Sequence, residues 1–303
     1  MLLSLKKRLK KTDWLLLLLL APGIIWLVMF AYVPIAGIRM AFYNYNVFKG
    51  FSGSTFVGLQ NFKTLFQGAD FPRALRNTLI IGGLQLLFCF PFPIFLAIVI
   101  NQVRIKFLGK LTQTLTFIPY FISTVVACGM VVSFCSPSTG IINLIRNFFG
   151  LDSIYFLVQA KYFRGIYIIL NLWKNSRYNA VVYIAALAGI DEGLYEAASL
   201  DGASRLKQIW YVTLPGLMNT IVVMLILNVG GIIKVGYETI ILLYQPSTYE
   251  TADVISTLTY RLGIVQNNFG ISTAAGLFES LVALVLVLLT NYASEKFTES
   301  SMF

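Results

Sequence analysis

Residues 196–215 read EAASLDGASRLKQIWYVTLP, a charged and alanine-rich island set between two long apolar segments. Its polarity stands out because the rest of the chain has so little. Of 303 residues, 57% are hydrophobic and only 12% charged, and the mean hydropathy is +0.77. Soluble domains do not have that composition, so the chain is an integral membrane protein. The island is then a short helix-turn element carried between two spans, where a soluble partner can reach it.

Outward from the island, six apolar runs are long enough to cross a bilayer, since about 20 residues at about 1.5 Å each cover about 30 Å of hydrocarbon. They fall near 14–35, 78–100, 111–134, 165–187, 214–235 and 272–292. Helix is the form expected of each, because lipid offers backbone groups no water to bond and no alternating barrel pattern is present. The fold class expected is all-α: one six-span domain over residues 14–292, with a basic segment at 1–13 before it and a tail at 293–303 after it.

Orientation follows from the basic residues. KKRLKK, residues 6–11, directly precedes the first span and places the amino terminus in the cytoplasm by the positive-inside rule. Six spans return the carboxyl terminus to the same side, so both termini and the loop at about 190–213 are expected to be cytoplasmic. Arg104, Lys106 and Lys110 after the second span agree, although Arg73 and Arg76 fall on the other side. The first apolar run continues through Ile35 without a small-x-small cleavage site, which marks it as a retained span rather than a signal peptide.

Several function classes drop out. The net charge of +10 is explained by basic flanks against anionic lipid, and no aromatic residues interleave with a basic face as nucleic-acid binding requires. Cys89, Cys128 and Cys135 lie in or beside apolar runs as small fillers, and the chain has no histidine, so no metal site or catalytic residue is expected. The nearest approach to a phosphate loop, Gly109-Lys110, is followed by Leu111 and lacks the glycine-rich turn. Gaps between spans of about 25 to 40 residues are too short for an enzyme domain. Glu279 is the only acid inside an expected span. No cofactor is expected on this chain.

Within the island, Asp191, Glu192 and Glu196 fall early in a short helix, where acids complement the positive end of the dipole, and Gly202 suits the turn that ends it. Ala197, Ala198 and Ala203 keep one side slim enough for close approach. Leu206, Ile209, Trp210 and Leu214 lead into the next span, and Pro215 is tolerated in its first turn. An amphipathic connector lying on the membrane has the same features.

The spacing resembles the EAA motif of the membrane permease subunits of bacterial ABC importers: EAA, three residues, glycine, nine residues, isoleucine, any residue, then LP. Glu196, Ala197, Ala198, Gly202, Leu214 and Pro215 stand at the family positions, and Asp201 and Ala203 complete the fuller EAAxxDGA form of sugar importers. Val212 departs from the usual isoleucine. LAPGIIWLVMFAYVPIAGIRMAFYNYN at 20–46, FVGLQNFKTLF at 56–66 and RNTLIIG at 76–82 are similar to the opening of carbohydrate permeases, especially those importing oligosaccharides. The resemblance implies a type I importer permease in a bacterial cytoplasmic membrane. It implies a second, distinct permease chain, two ATPase subunits carrying ATP and Mg, and an extracytoplasmic solute-binding protein. It also implies that this loop is a coupling helix, with Glu196 paired to a basic residue of the ATPase and Gly202 allowing the bend.

Polar residues inside the apolar runs mark a candidate substrate pathway, because charges at membrane depth are costly and usually face a bundle interior. They are Asn171, Trp173, Lys174, Asn175, Arg177 and Tyr178 in the fourth run, with Asn228 and Lys234 in the fifth. Rings there can stack on a sugar and amides can bond its hydroxyls; the same groups can instead bridge helices. Three cations against one acid suggest an acidic sugar. An ion-coupled secondary transporter remains the alternative, although internal repeats and acids at depth are not apparent. Pro91, Pro93, Pro119 and the Gly230-Gly231 pair are expected to kink helices or allow close packing.

Overall fold

The computed structural model describes residues 14–103, 106–233 and 235–298. The basic segment 1–13, Arg104, Lys234 and the last five residues lie outside the described residues, as do the side chains of Lys106, Lys110 and Arg177.

Apart from a two-residue antiparallel ribbon, β1 (Tyr43–Asn44) on β2 (Thr55–Phe56), the regular structure is helical. Helix α1 (Trp14–Leu27) runs on through a π turn (Val28–Tyr32) and a 3-10 segment (Val33–Phe42). After α2 (Gln60–Gln67), helix α3 (Asp70–Leu84) joins α4 (Pro91–Asn101) through a second π turn (Gln85–Cys89). Then come α5 (Lys106–Phe121), α6 (Thr124–Phe134), α7 (Ile141–Phe148) and the 28-residue α8 (Ala160–Leu187). The island forms α9 (Glu192–Leu200) and α10 (Arg205–Gln208), and a π turn (Ile209–Thr213) leads into α11 (Leu214–Gly231). Three short helices, α12 (Tyr237–Leu243), α13 (Tyr249–Ala252) and α14 (Ile255–Tyr260), precede α15 (Phe269–Thr298).

Of the six expected spans, four are plain in the structure and two take a different form. Four continuous helical stretches are long and apolar enough to cross a membrane: Leu16–Phe42, Asp70–Asn101, Arg205–Gly231 and Phe269–Lys296. The run at 111–134 is bent by 99° between α5 and α6. Pro119 removes a ladder donor there, and Ser123, in extended conformation, starts a new helix by accepting from the Val126 amide at 3.2 Å. The run at 165–187 lies inside α8, which is long enough to cross but too polar at its centre to count as apolar beyond Tyr178–Leu187.

Three of the four π turns among the described residues share a cause, the fourth being Arg261–Val265 before α15. Each of the three ends two residues before a proline, Pro34, Pro91 or Pro215, which the fourth does not. Proline cannot donate to the carbonyl four residues back, so the ladder widens to an i+5 bond, from Val33 to Val28, Phe90 to Gln85 and Leu214 to Ile209.

Three apolar clusters hold the bundle. One gathers Ile81, Phe163, Tyr167, Leu170 and Val235 around the first half of α8. A second packs Ala41, Phe71, Ala74, Ile255 and Ala274 around α15. The third joins Ala97, Ile98, Ala180, Tyr183, Leu187 and Leu217 where α4, α8 and α11 meet beneath the island. Glycines set the closest approaches. A Cβ at Gly230 would meet Val287, and one at Gly82 would lie 2.7 Å from the Ile232 carbonyl oxygen and strike its side chain. Gly82→Ala is therefore expected to lower stability by about 1–3 kcal/mol through overpacking, read as a lower melting temperature in detergent, whereas Gly83→Ala, in open space within the same helix, is expected to raise it by about 0.5–1 kcal/mol.

At the amino-terminal end of α8, a fully buried carboxylate fastens the short helices to the bundle. Asp253 accepts from Arg261 Nη1 at 3.0 Å and Nη2 at 2.7 Å, from Thr257 Oγ1 at 2.9 Å and from Arg73 Nη2 at 3.3 Å. The hydrogen bonds to Asp253 hold the Arg261 guanidinium above its already high ordinary pKa. Asn77 donates to the Asp253 carbonyl at 3.0 Å and accepts from Arg164 Nη2 at 2.9 Å, which brings α3 and α8 to the same point.

Candidate functional site

Between the first and third apolar clusters α8 turns polar, and a cavity of about 320 Å³ opens there. Gln85, Asn171, Asn175, Ser176, Asn179 and Asn228 supply its polar lining, with Leu86, Cys89, Leu227 and Gly231 around them. Asn171, Asn175 and Asn179 share a face because they recur every four residues, a rise of about 6 Å each. Four of the amides are oriented by internal bonds. Asn175 Nδ2 donates to Asn171 Oδ1 at 3.1 Å, Asn171 Nδ2 to the Tyr167 carbonyl at 2.9 Å, Asn228 Nδ2 to the Met224 carbonyl at 2.8 Å and Gln85 Nε2 to Tyr167 Oη at 3.1 Å. An amide so held keeps donor and acceptor capacity for hydroxyl groups. The volume is within the range of small-molecule sites.

The structure brings together only part of the candidate pathway set. Asn171, Asn175 and Asn228 meet in the cavity. Lys174 faces elsewhere and donates to Thr124 Oγ1 at 3.1 Å, at the start of α6. Trp173 lines an apolar pocket with Met130, Phe134, Cys135 and Ile166. Tyr178 stacks on Tyr120 at 4.3 Å with the rings 2° from parallel. Among the described residues the cavity lining is neutral. Gln85, Ser176 and Asn179 were not among the expected residues; the four-residue spacing marks Asn179, while Gln85 comes from another helix.

The island projects from the opposite end of α8, about 40 Å from the Asp253 cluster along that helix. Asp191 caps α9, its Oδ1 accepting from the Gly193 amide at 2.9 Å. The helix ends in paired reverse bonds, from the Ala203 amide to the Ala198 carbonyl at 2.9 Å and from Gly202 to Ser199 at 3.1 Å. Gly202 adopts φ +75°, which a residue with a Cβ disfavours. Glu196, Ala197, Asp201 and Gly202 are exposed, Ala198, Ala203 and Leu214 are half-buried, and Pro215 stands in the first turn of α11. Leu200 is 89% and Leu206 71% exposed, so among the described residues the tip presents bare apolar side chains. Beside the tip, Asn101, Glu192, Glu196 and Arg205 border a cleft of about 510 Å³. The arrangement suits a protein surface docking on α9.

Comparison with known proteins is consistent with this geometry. Residues 89–298 match the family described as "Binding-protein-dependent transport system inner membrane component". The polygalacturonan/rhamnogalacturonan transport system permease protein YteP of Bacillus subtilis (strain 168) is 40% identical over 288 residues, 95% of this chain and 90% of that protein. LplB of the same organism is 38% identical over 296 residues, 97% of this chain and 92% of the relative. Among solved structures, a chain of a bacterial ABC transporter involved in import of the acidic polysaccharide alginate superposes with a TM-score of 0.90 at 48% identity, covering 97% of this chain and 99% of that one. A bacterial alginate ABC transporter solved with alginate pentasaccharide-bound periplasmic protein gives 0.89 at 48% identity, covering 96% and 98%.

Proposed function

This chain belongs to the binding-protein-dependent transport system inner membrane components, the multi-pass permeases of ABC importers, and from that membership we propose that it forms half of a translocation pathway for an acidic oligosaccharide. A second, similar permease completes the pathway. Two cytosolic ATPase subunits hold ATP and Mg, and an extracytoplasmic solute-binding protein delivers the sugar. Both termini and the island lie on the cytoplasmic side.

The observation that carries this reading is the island itself: a rigidly turned, solvent-facing helix pair with Glu196 and two bare leucines at its tip. Closure of the ATPase dimer acts on this tip. The substrate class rests on the relatives, whose names specify polygalacturonan, rhamnogalacturonan and alginate. The cavity contributes recognition of hydroxyls, and the acid groups are met elsewhere in the assembly.

Affinity capture of the tagged permease in mild detergent, followed by mass spectrometry, tests the assembly. An ATPase and a second permease are expected to co-purify. Capture of this chain alone would favour an ion-driven carrier. The cavity has its own test. Asn171→Leu with Asn175→Leu is expected to reduce uptake of a uronic-acid oligosaccharide about tenfold or more, with the complex intact by size-exclusion chromatography, since each lost hydrogen bond to a buried polar group costs about 1–3 kcal/mol. Unchanged uptake would remove the cavity from the pathway.

A further inference from the structure

The two arms of the island are tied by a closed circuit of hydrogen bonds that the EAA positions do not include. Gln208 Nε2 donates to Ser199 Oγ at 2.9 Å, and Ser199 spends its single proton on the Tyr195 carbonyl at 2.8 Å. On the other side Thr213 Oγ1 donates to the Gln208 carbonyl at 3.4 Å, so in its 3.0 Å bond with Tyr195 the tyrosine hydroxyl is the donor. The circuit therefore passes Tyr195, Thr213, Gln208, Ser199 and back to Tyr195. A further bond from Gln208 Nε2 to the Ala203 carbonyl, 3.3 Å, reaches the turn.

This circuit spans the softest joint in the region. Between α10 and α11 the backbone makes the π turn at Ile209–Thr213, followed by Pro215, and widened turns of this kind are where helices bend. Thr213 is only 1% exposed and sits at the base of α11. A load on α9 carried by the chain alone would pass through the glycine turn and the widened turn, both able to yield. The circuit gives it a direct route from Tyr195 to Thr213.

We propose that Tyr195 and Gln208 are positioning residues that brace α9 against the base of α11, so that movement of a docked ATPase is delivered to the span rather than absorbed at the π turn. The proposal rests on the reading of this loop as the ATPase contact. Without the brace, the ATPase still docks and cycles while the spans follow it poorly.

The test uses the complete complex, with its ATPase and solute-binding protein, in proteoliposomes, reading sugar transported per ATP hydrolysed. Tyr195→Phe removes one hydroxyl and keeps the ring, and Gln208→Ala opens the other half of the circuit. Each is expected to lower transport per ATP at least fivefold with ATP hydrolysis continuing, and the pair together no more than the worse single variant by much, as one circuit requires. In a background with Cys89, Cys128 and Cys135 changed to alanine, Ser199→Cys with Gln208→Cys joined by a short thiol-reactive bridge is expected to recover the ratio, which a loss of folding would not allow. Wild-type stoichiometry in Tyr195→Phe and Gln208→Ala, or loss of the ATPase from either, overturns the brace. If Glu196→Lys also transports normally, the coupling reading itself fails; if Glu196→Lys is dead and Tyr195→Phe is normal, only the brace does.

Discussion

Glu196→Lys is expected to abolish ATP-driven uptake, by about 100-fold or more, while the protein accumulates in the membrane at its normal level. Glu196 is exposed on α9 and makes no ion pair among the described residues, so the substitution removes nothing that holds the fold. On the proposed coupling role, its effect is expected to fall on the partner. Breaking a buried, hydrogen-bonded charge pair at an interface costs about 2–5 kcal/mol, and a like charge in its place adds repulsion; about 2.8 kcal/mol already accounts for 100-fold. Uptake of labelled sugar, together with the amount of permease in the membrane fraction, checks both halves. Normal transport would remove the coupling role from this loop.

Asp253→Ala is expected to be the most destabilising single change at the opposite end, by about 3–5 kcal/mol. The carboxylate is 0% exposed and faces two guanidinium groups and a threonine hydroxyl. Removing it leaves Arg261, whose side chain is 15% exposed, with only the 3.7 Å pairing to Asp70, and leaves α13 and α14 held to α3 by the bonds of Asn77 and Thr78 to their backbone. Arg73→Ala should cost far less, because Arg73 is more exposed, at 30%, and Arg261 still satisfies both carboxylate oxygens. Thermal unfolding of the two variants in detergent gives the comparison. Equal melting temperatures would mean that the cluster contributes little to holding the short helices.

Much of this architecture can be read from residue order, and the exceptions have physical reasons. Apolar runs report helices that lie in lipid, and the fixed spacing from Glu196 to Pro215 reports a loop whose geometry is local. The bend after Phe121 escapes such reading, because Pro119 and Ser123 are compatible with either a gentle kink or a 99° turn. The described members of the pathway set are separated for a different reason. Residues 171–178 are neighbours in sequence, but each step turns the helix by about 100°, so Trp173 points about 160° away from Asn175 and Lys174 about 100° away. Sequence proximity groups what the helix separates. Gln85 belongs to the same cavity and comes from a different span, a relation only the packing of α8 against the π turn supplies.

If the cavity lies on the proposed pathway, the three asparagines of α8 bear on speed as much as on selectivity. Their side chains are chemically identical and evenly stepped along the helix. A string of sugar units advancing by one step can trade each hydrogen bond for an equivalent one, which makes the free-energy profile along the track shallow. Passage through a membrane needs binding strong enough to enter and weak enough to leave. A row of interchangeable amides meets that requirement where one deep, charged pocket would hold the cargo and slow its release. On the function proposed above, throughput is expected to follow how often the spans rearrange, with little dependence on oligosaccharide length once the leading units have entered.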